Sequence, residues 1–366
     1  MTVEWQIILI ALWTTITSLT NIAGDGHSTL TPQPTAEQTL YRTKSHFTAE
    51  SCSLSDRARL ANDWKTAFNK NPLFSACPES NWTSLMWRAV KNSNKTSVRV
   101  LDIGANKGYW TAEMLALLGR GNPKYIPQAI NGYWRKQKVH KACGACEDCK
   151  AKVKLRPRES SPHSLRFQLY EPTKETYLGV RKLFTGNPHV EVYPFAVSDK
   201  EGMAQFRSKG NAHETNGLVL NGSQNLVSKS FSLKVTRVRT TTLDAILGSD
   251  FAHARKPKSD FIFVKIDAEG FDPLVLRGAS TSLERNVIDG LMFEYGKQHM
   301  WENTLLKDVI DWLDSLGYTC FWDAQVPIQI TGCWVPEYEC NRWSNIVCAV
   351  REQHAHMLLH ILQGVL

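Results

Sequence analysis

The chain has 366 residues, 42% hydrophobic and 21% charged, with a formal net charge of +8. That length and apolar content suffice for a full buried core, and the absence of internal repeats or low-complexity tracts excludes solenoid, fibrous and mainly disordered architectures. One large domain with decorations is expected, and the positive balance favours acidic partners.

Residues 1–24 read as a signal peptide or signal anchor, because the apolar run Ile7 to Ile16 is followed by the small residues Ala23 and Gly24. An anchor would tie the protein to a membrane, although the run is shorter than the ~20 residues of a full span. Residues 25–50 are rich in Thr, Pro and Gln and read as a flexible stalk. The folded part is expected from 51 to 351, with 352–366 as a C-terminal helix or tail. Ser55 to Asn69 carries Leu60, Trp64 and Phe68 at helical spacing, and Trp82 to Val90 suggests another short helix.

Three glycosylation sequons, Asn81-Trp-Thr83, Asn94-Lys-Thr96 and Asn221-Gly-Ser223, agree with lumenal exposure. Nine cysteines also fit an oxidising compartment. The expected bridges are Cys52 to Cys77, Cys333 to Cys340 and Cys320 to Cys348.

Val98 to Ile103 is a buried-strand pattern that runs into the turn Gly104 to Gly108 and then a helix from Tyr109 to Leu118. The turn spacing is G-x-x-x-G, which differs from the G-x-G-x-x-G that seats a pyrophosphate. With Asp102 just before it, the turn suits the cationic, phosphate-free cofactor S-adenosylmethionine. The next strand, Leu165 to Tyr170, ends in Glu171, whose carboxylate could accept from both ribose hydroxyls. Thr173 to Phe184 reads as a helix with Thr173 at its N-cap, and Val190 to Val197 as a third strand with Ser198 near the adenine side.

Residues 203 to 239 read as an antiparallel excursion over the site mouth, which would bring His213 and Asn216 to the substrate. Thr241 and Asp244 have capping-box spacing. Phe261 to Ile266 is a further buried strand delivering Asp267 and Glu269. Gly290 to Tyr295 delivers Glu294 to the same edge, and Leu305 to Leu316 follows as a helix. Gly317 to Trp322 and Asn345 to Val350 would form a closing antiparallel pair.

Asp102-Ile-Gly-Ala-Asn-Lys-Gly108 and Lys265-Ile-Asp-Ala-Glu-Gly270, with Thr242-Leu-Asp244 and Phe293-Glu294 in the same order, resemble the FkbM-type family of S-adenosylmethionine-dependent methyltransferases over roughly Val98 to Arg351. The resemblance implies a Rossmann-like α/β fold, with a mostly parallel seven-stranded sheet, helices on both faces and a closing antiparallel strand pair. It implies a cofactor site drawn from Asp102, Gly104, Asn106, Gly108, Glu171, Ser198 and Asp267. Asp267, then Glu294, are the candidate general bases, each also able to act as a positioner, and Glu269 and His213 would meet the substrate. His299 is a weaker candidate base. By analogy with the family the reaction is O-methylation, here of a glycan or related small molecule in the secretory pathway or outside the cell, where the cofactor would have to be imported.

The insert 120–165 departs from this plan. From Arg120 to Arg166 twelve Lys and Arg face three acids, a net +9. Such a loop could draw an acidic glycan or simply remain solvated. His140, Cys143, Cys146 and Cys149 stand at three-residue intervals, where an internal disulfide is expected ahead of zinc. The alternative to an enzyme is a secreted or anchored binding module that holds acidic polymers through the insert. A nucleic-acid methyltransferase is disfavoured, because no Asn/Asp-Pro-Pro-Tyr/Phe/Trp signature occurs.

Overall fold

The computed structural model describes residues 52–70, 95–139, 141–144, 148–150, 164–210, 212–213, 216–219, 234–251, 260–323, 328–340 and 342–351. The leader, the stalk, the helix expected at 82–90, the three sequon asparagines, Cys77, His140, Cys146 and the tail 352–366 lie outside the described residues. Among those described, no helix is long and apolar enough to cross a membrane.

Strands β1 (Ser97–Ile103), β2 (Ser164–Tyr170) and β3 (Val190–Tyr193) pair in parallel on one side of the main sheet. Strand β4 (Phe195–Val197) leaves that sheet. With β5 (Gly202–Ser208), β6 (Gly217–Leu218) and β7 (Lys234–Thr241) it builds a second, four-stranded sheet. Strands β8 (Asp260–Ile266) and β9 (Gly290–Tyr295) continue the parallel set, and β10 (Tyr318–Trp322), β11 (Ile328–Gln329) and β12 (Ser344–Val350) close it. The order is β11-β10-β12-β9-β8-β1-β2-β3. The main sheet is therefore mixed and eight-stranded where seven strands were expected. The extra member is two-residue β11 at the edge, and the antiparallel pairings are β9–β12, β12–β10 and β10–β11.

The central strands are apolar at successive positions because both faces are covered. Leu101, Ile103, Ile262, Val264 and Ile266 point to one face, where α1 (Leu54–Lys70), α5 (Leu243–Phe251), α6 (Asp272–Arg277), α7 (Ser280–Glu284) and α8 (Leu306–Ser315) supply partners such as Trp64, Leu247, Val275, Leu283 and Leu313. Val98, Val100, Phe261 and Phe263 point to the other, beneath α2 (Tyr109–Leu117), α3 (Pro127–Lys136) and α4 (Lys174–Leu183). Each fully buried aliphatic side chain contributes about 1.5–3 kcal/mol from area removed from water.

The expected third strand, 190–197, is broken at Pro194. Proline has no N–H for a ladder, so β3 stops at Tyr193 and β4 pairs instead with β7. The capping at the start of α5 also differs from the expected box. Thr242 Oγ1 accepts from the Ala245 amide (3.0 Å), whereas the Asp244 carboxylate accepts from the Thr281 and Ser282 amides (3.0 and 2.7 Å) and so caps α7.

The described part of the insert is less of a solvated loop than its charge suggests. Helix α3 buries Ile130 and Trp134 completely, and Trp134 Nε1 donates to the Lys107 carbonyl at 2.9 Å. Its ring fills the space beside Gly179, where a Cβ would stand 2.3 Å away. The cysteines correct two expectations. Cys52 bonds Cys333, so neither Cys52–Cys77 nor Cys333–Cys340 forms, and Cys340 is a free thiol. The sheet order explains this: α1 packs near the turn Pro336–Tyr338, which brings the Cys333 loop to its first residues. Cys320 and Cys348 are register partners on β10 and β12 and are bonded as expected. Within the insert, Cys143 bonds Cys149, which removes two thiolates from any zinc site. The three disulfides among the described residues fit an oxidising environment.

Candidate active site

The carboxyl ends of β1, β2 and β8 are laced together by backbone. The Gly104 and Ala105 amides donate to the Tyr170 carbonyl (3.0 and 3.2 Å), and the Asp267 amide donates to the Ile103 carbonyl (3.0 Å). Gly104 has φ +79°, and a Cβ there would lie 2.0 Å from the Asp267 carbonyl oxygen. Only glycine meets both demands. Asn106 follows, also with positive φ, and its amide donates to Glu171 Oε2 at 3.2 Å. Glu171 Oε1 accepts from the Thr173 amide at 2.8 Å. Burial pushes the Glu171 carboxyl up to about 7 against the lowering effect of these amides. Thr173 stands at the N-cap of α4 as expected, but its side chain makes no capping bond.

These groups open onto one cavity. Gly104, Asn106, Glu171, Asp267, Glu269 and Phe271 form its floor, and the second sheet roofs it with Phe206, His213, Asn216, Gly217 and Leu218. The antiparallel excursion thus covers the mouth as expected. None of the described lining residues is Lys or Arg, and Glu171, Asp267 and Glu269 make this part of the cavity a site for a cation or for hydroxyl donors.

Four of the sequence-predicted residues lie outside that lining. Asp102 is fully buried and turned toward α2, where it accepts from Thr111 Oγ1 at 2.6 Å. Its neighbour across the parallel register is Lys265, whose Nζ stands 3.4 Å from Asp102 Oδ1 and 3.0 Å from Asp267 Oδ2. Burial raises the Asp102 carboxyl, while Lys265 and Thr111 oppose the shift. Asp102 therefore positions an ammonium rather than meeting a ligand directly. Gly108, at φ +79°, starts α2, and a Cβ there would strike the Phe184 ring at 2.8 Å. Ser198 is buried, with its carbonyl carrying the close approach of Gly278.

Glu294 is the fourth. Trp343 Nε1 donates to its Oε1, and the Glu294 amide donates to Asp272 Oδ1 at 3.0 Å. Burial, with Asp267, Asp272 and Glu269 nearby, holds the Glu294 carboxyl well above the usual carboxylate range. Burial and Asp267 likewise push Asp272 up to about 7. Of the two candidate bases, Asp267, 34% exposed in its side chain, lines the cavity and Glu294 does not. His299 stacks on Phe271 at 4.8 Å, behind the lining.

Lys265 and Asp272 escaped sequence reasoning. A lysine in a buried strand has a readable signal, since an isolated charge there demands a partner. Asp272 opens a helix just before Pro273, where an acidic residue reads as an ordinary first-turn charge.

Residues 102–320 match the family model described as the methyltransferase FkbM domain. No curated protein matches the chain.

Proposed function

The chain belongs to the FkbM methyltransferase family, and from that premise we propose that it transfers the methyl group of S-adenosylmethionine to a hydroxyl oxygen of a glycan or related small molecule, in the lumen of the secretory pathway or outside the cell. The observation that carries this reading is the convergence of Gly104, Asn106, Glu171, Asp267 and Glu269 on one cavity at the carboxyl ends of three parallel strands. Three carboxylates, with no lysine or arginine among the described lining residues, suit a sulfonium.

When bound, S-adenosylmethionine supplies an electrophilic methyl group. Glu171 would hold its ribose hydroxyls, and the glycine turn would let its amino-acid portion approach backbone at Gly104. Lys265 holds Asp267 Oδ2 and thereby orients the carboxylate toward the cavity. Asp267 takes the acceptor's hydroxyl proton as the new carbon–oxygen bond forms, and Glu269 and His213 orient the acceptor from floor and roof. Alignment of the two reactants supplies much of the acceleration. The disulfides support the lumenal or external placement.

Titration calorimetry with S-adenosylhomocysteine tests the cofactor site, and glycan arrays with an isotopically labelled methyl donor test the acceptor class. A chain that gives no heat refutes the enzymatic reading. Label on no glycan, with cofactor bound, refutes the substrate class.

A further inference from the structure

The cavity roof has an outer side. Strands β5 and β7 pair from Gly202 with Thr240 to Ser208 with Lys234. Side chains alternate along a strand, and here Phe206 and Val238 turn inward to a buried cluster with Ala196. The outward positions form three cross-strand rows: Met203 with Arg239, Gln205 with Arg237, and Val235 with Arg207. Each row sets one guanidinium beside one neutral side chain. Successive rows are about 6.8 Å apart, two residues along a strand. Met203 and Val235 are 50% and 54% exposed, among the most exposed large apolar side chains described.

Resting on the methyl-transfer reading above, we propose that this outward face, bearing Arg207, Arg237 and Arg239, is the docking surface for an acidic polysaccharide whose hydroxyl enters the cavity beneath. Charge complementarity is the first argument. No described carboxylate forms an ion pair with any of the three arginines, and Arg239 lies over the Phe195 ring at 5.0 Å. Planar guanidinium groups bind carboxylate or sulfate with two parallel hydrogen bonds. The mixture is the second. A pyranose chain presents apolar C–H faces between its acidic groups, and each row offers a guanidinium next to an aliphatic or amide side chain. A single-stranded nucleic acid would need several aromatic stacking platforms, and among the described residues of this face the one aromatic ring is Phe195, the register partner of Arg239, already covered by that guanidinium.

Continuity with the cavity is the third. Arg207 is the register partner of Gly217, a lining residue. Its charge also reaches His299, whose imidazole is held below its ordinary value by partial burial and by Arg207 and Lys209. His299 in turn stacks on the lining residue Phe271. The stripe of charge thus ends at the rim of the cavity.

The test uses the full chain and fluorescence anisotropy with labelled heparin, labelled hyaluronan, neutral dextran and a single-stranded DNA oligonucleotide, at low and physiological salt. Heparin, hyaluronan or both are expected to bind, with affinity falling as salt rises, and to distinguish sulfate from carboxylate as the preferred group. R207Q/R237Q/R239Q should weaken that binding at least tenfold while leaving the melting temperature and S-adenosylhomocysteine affinity unchanged. R135Q/K136Q/K138Q, which removes exposed charge from the insert, should bind as the parent does. Equal binding by the arginine variant, loss confined to the insert variant, equal binding of dextran, or tighter binding of DNA overturns the proposal. Polysaccharide binding without cofactor heat would refute the methyl-transfer reading and leave the docking surface standing.

Discussion

Replacing Lys265 by methionine keeps the side chain's length and removes its ammonium. Two carboxylates then lose their partner: Asp102, which has no exposure at all, and Asp267, which keeps 34% of its side chain in solvent. Asp267 can be rehydrated, but Asp102 retains only the Thr111 hydroxyl. Breaking a buried pair in this way costs about 3–5 kcal/mol, or about 5–8 °C in melting temperature at roughly 2.1 cal/mol/K of unfolding entropy per residue over about 300 residues. The sign with pH follows from Asp102, already raised by burial and raised further once Lys265 is gone. A carboxyl whose folded value exceeds its unfolded one contributes stability below the unfolded value and loses it as pH rises through the folded one. K265M should therefore lie closest to the parent under mildly acidic conditions and farthest from it at alkaline pH. Adding D102N removes the stranded charge and should restore most of the melting temperature, but S-adenosylhomocysteine binding should stay weak because Asp267 is no longer held. Differential scanning calorimetry across pH measures the first two effects, and titration calorimetry the third. A single variant that melts like the parent, or a double variant that melts no higher than the single one, would falsify the buried-pair account.

Glu171 gives a pH prediction of its own: with its carboxyl near 7, S-adenosylhomocysteine affinity should rise by about tenfold between pH 6 and 8 as the ionised form fills. E171Q should weaken binding at least tenfold, about 1.4 kcal/mol, and flatten that profile, so a persistent slope would implicate another group. G104A forces a Cβ to within 2.0 Å of the Asp267 carbonyl oxygen in a left-handed conformation. The backbone alone costs about 1–2 kcal/mol, and cofactor heat should vanish with the displaced strand end; an intact isotherm would contradict the laced geometry. C320A/C348A opens a loop with a sequence separation of 28, worth about 3–4 kcal/mol of chain entropy. The variant should therefore melt below the parent in calorimetry, and equal melting temperatures would contradict that contribution.

The unbroken apolar runs at Val98 to Leu101 and Phe261 to Val264 announced strands covered on both faces, and their acidic ends announced the ligand edge. The glycine turn, the roof and the positions of Glu171 and Asp267 were legible for the same reason: local pattern and local geometry coincide there. Where a residue's role depends on a distant partner, the pattern was silent. Asp102 and Lys265 meet only because β1 and β8 are sheet neighbours, although the two residues are 163 positions apart in the chain (265 − 102), and Glu294 is held outside the cavity lining, where it pairs with Trp343. Pro194 was a readable break within 190–197, since its missing N–H forbids a central ladder position. Cysteine pairing was readable for Cys320 and Cys348, which lie on strands expected to be neighbours, and as a bridge within the insert cluster, which Cys143 and Cys149 form. Cys52 and Cys333 were joined by the path of α1 over the sheet, which spacing does not encode.

The Cys52–Cys333 bond also imposes a timetable on biosynthesis. Its two ends are 281 residues apart, so at roughly 5–20 residues per second the first thiol leaves the ribosome roughly 14–56 s before its mate. Cys77, Cys143, Cys146, Cys149 and Cys320 emerge in that interval, and each is a competing electrophile or thiol for exchange once oxidised. Native pairing at the N-terminal end then waits until nearly the whole chain is made, and the yield of correctly bridged protein in an oxidising compartment should depend on disulfide isomerase more steeply than that of a chain whose bridges close in order.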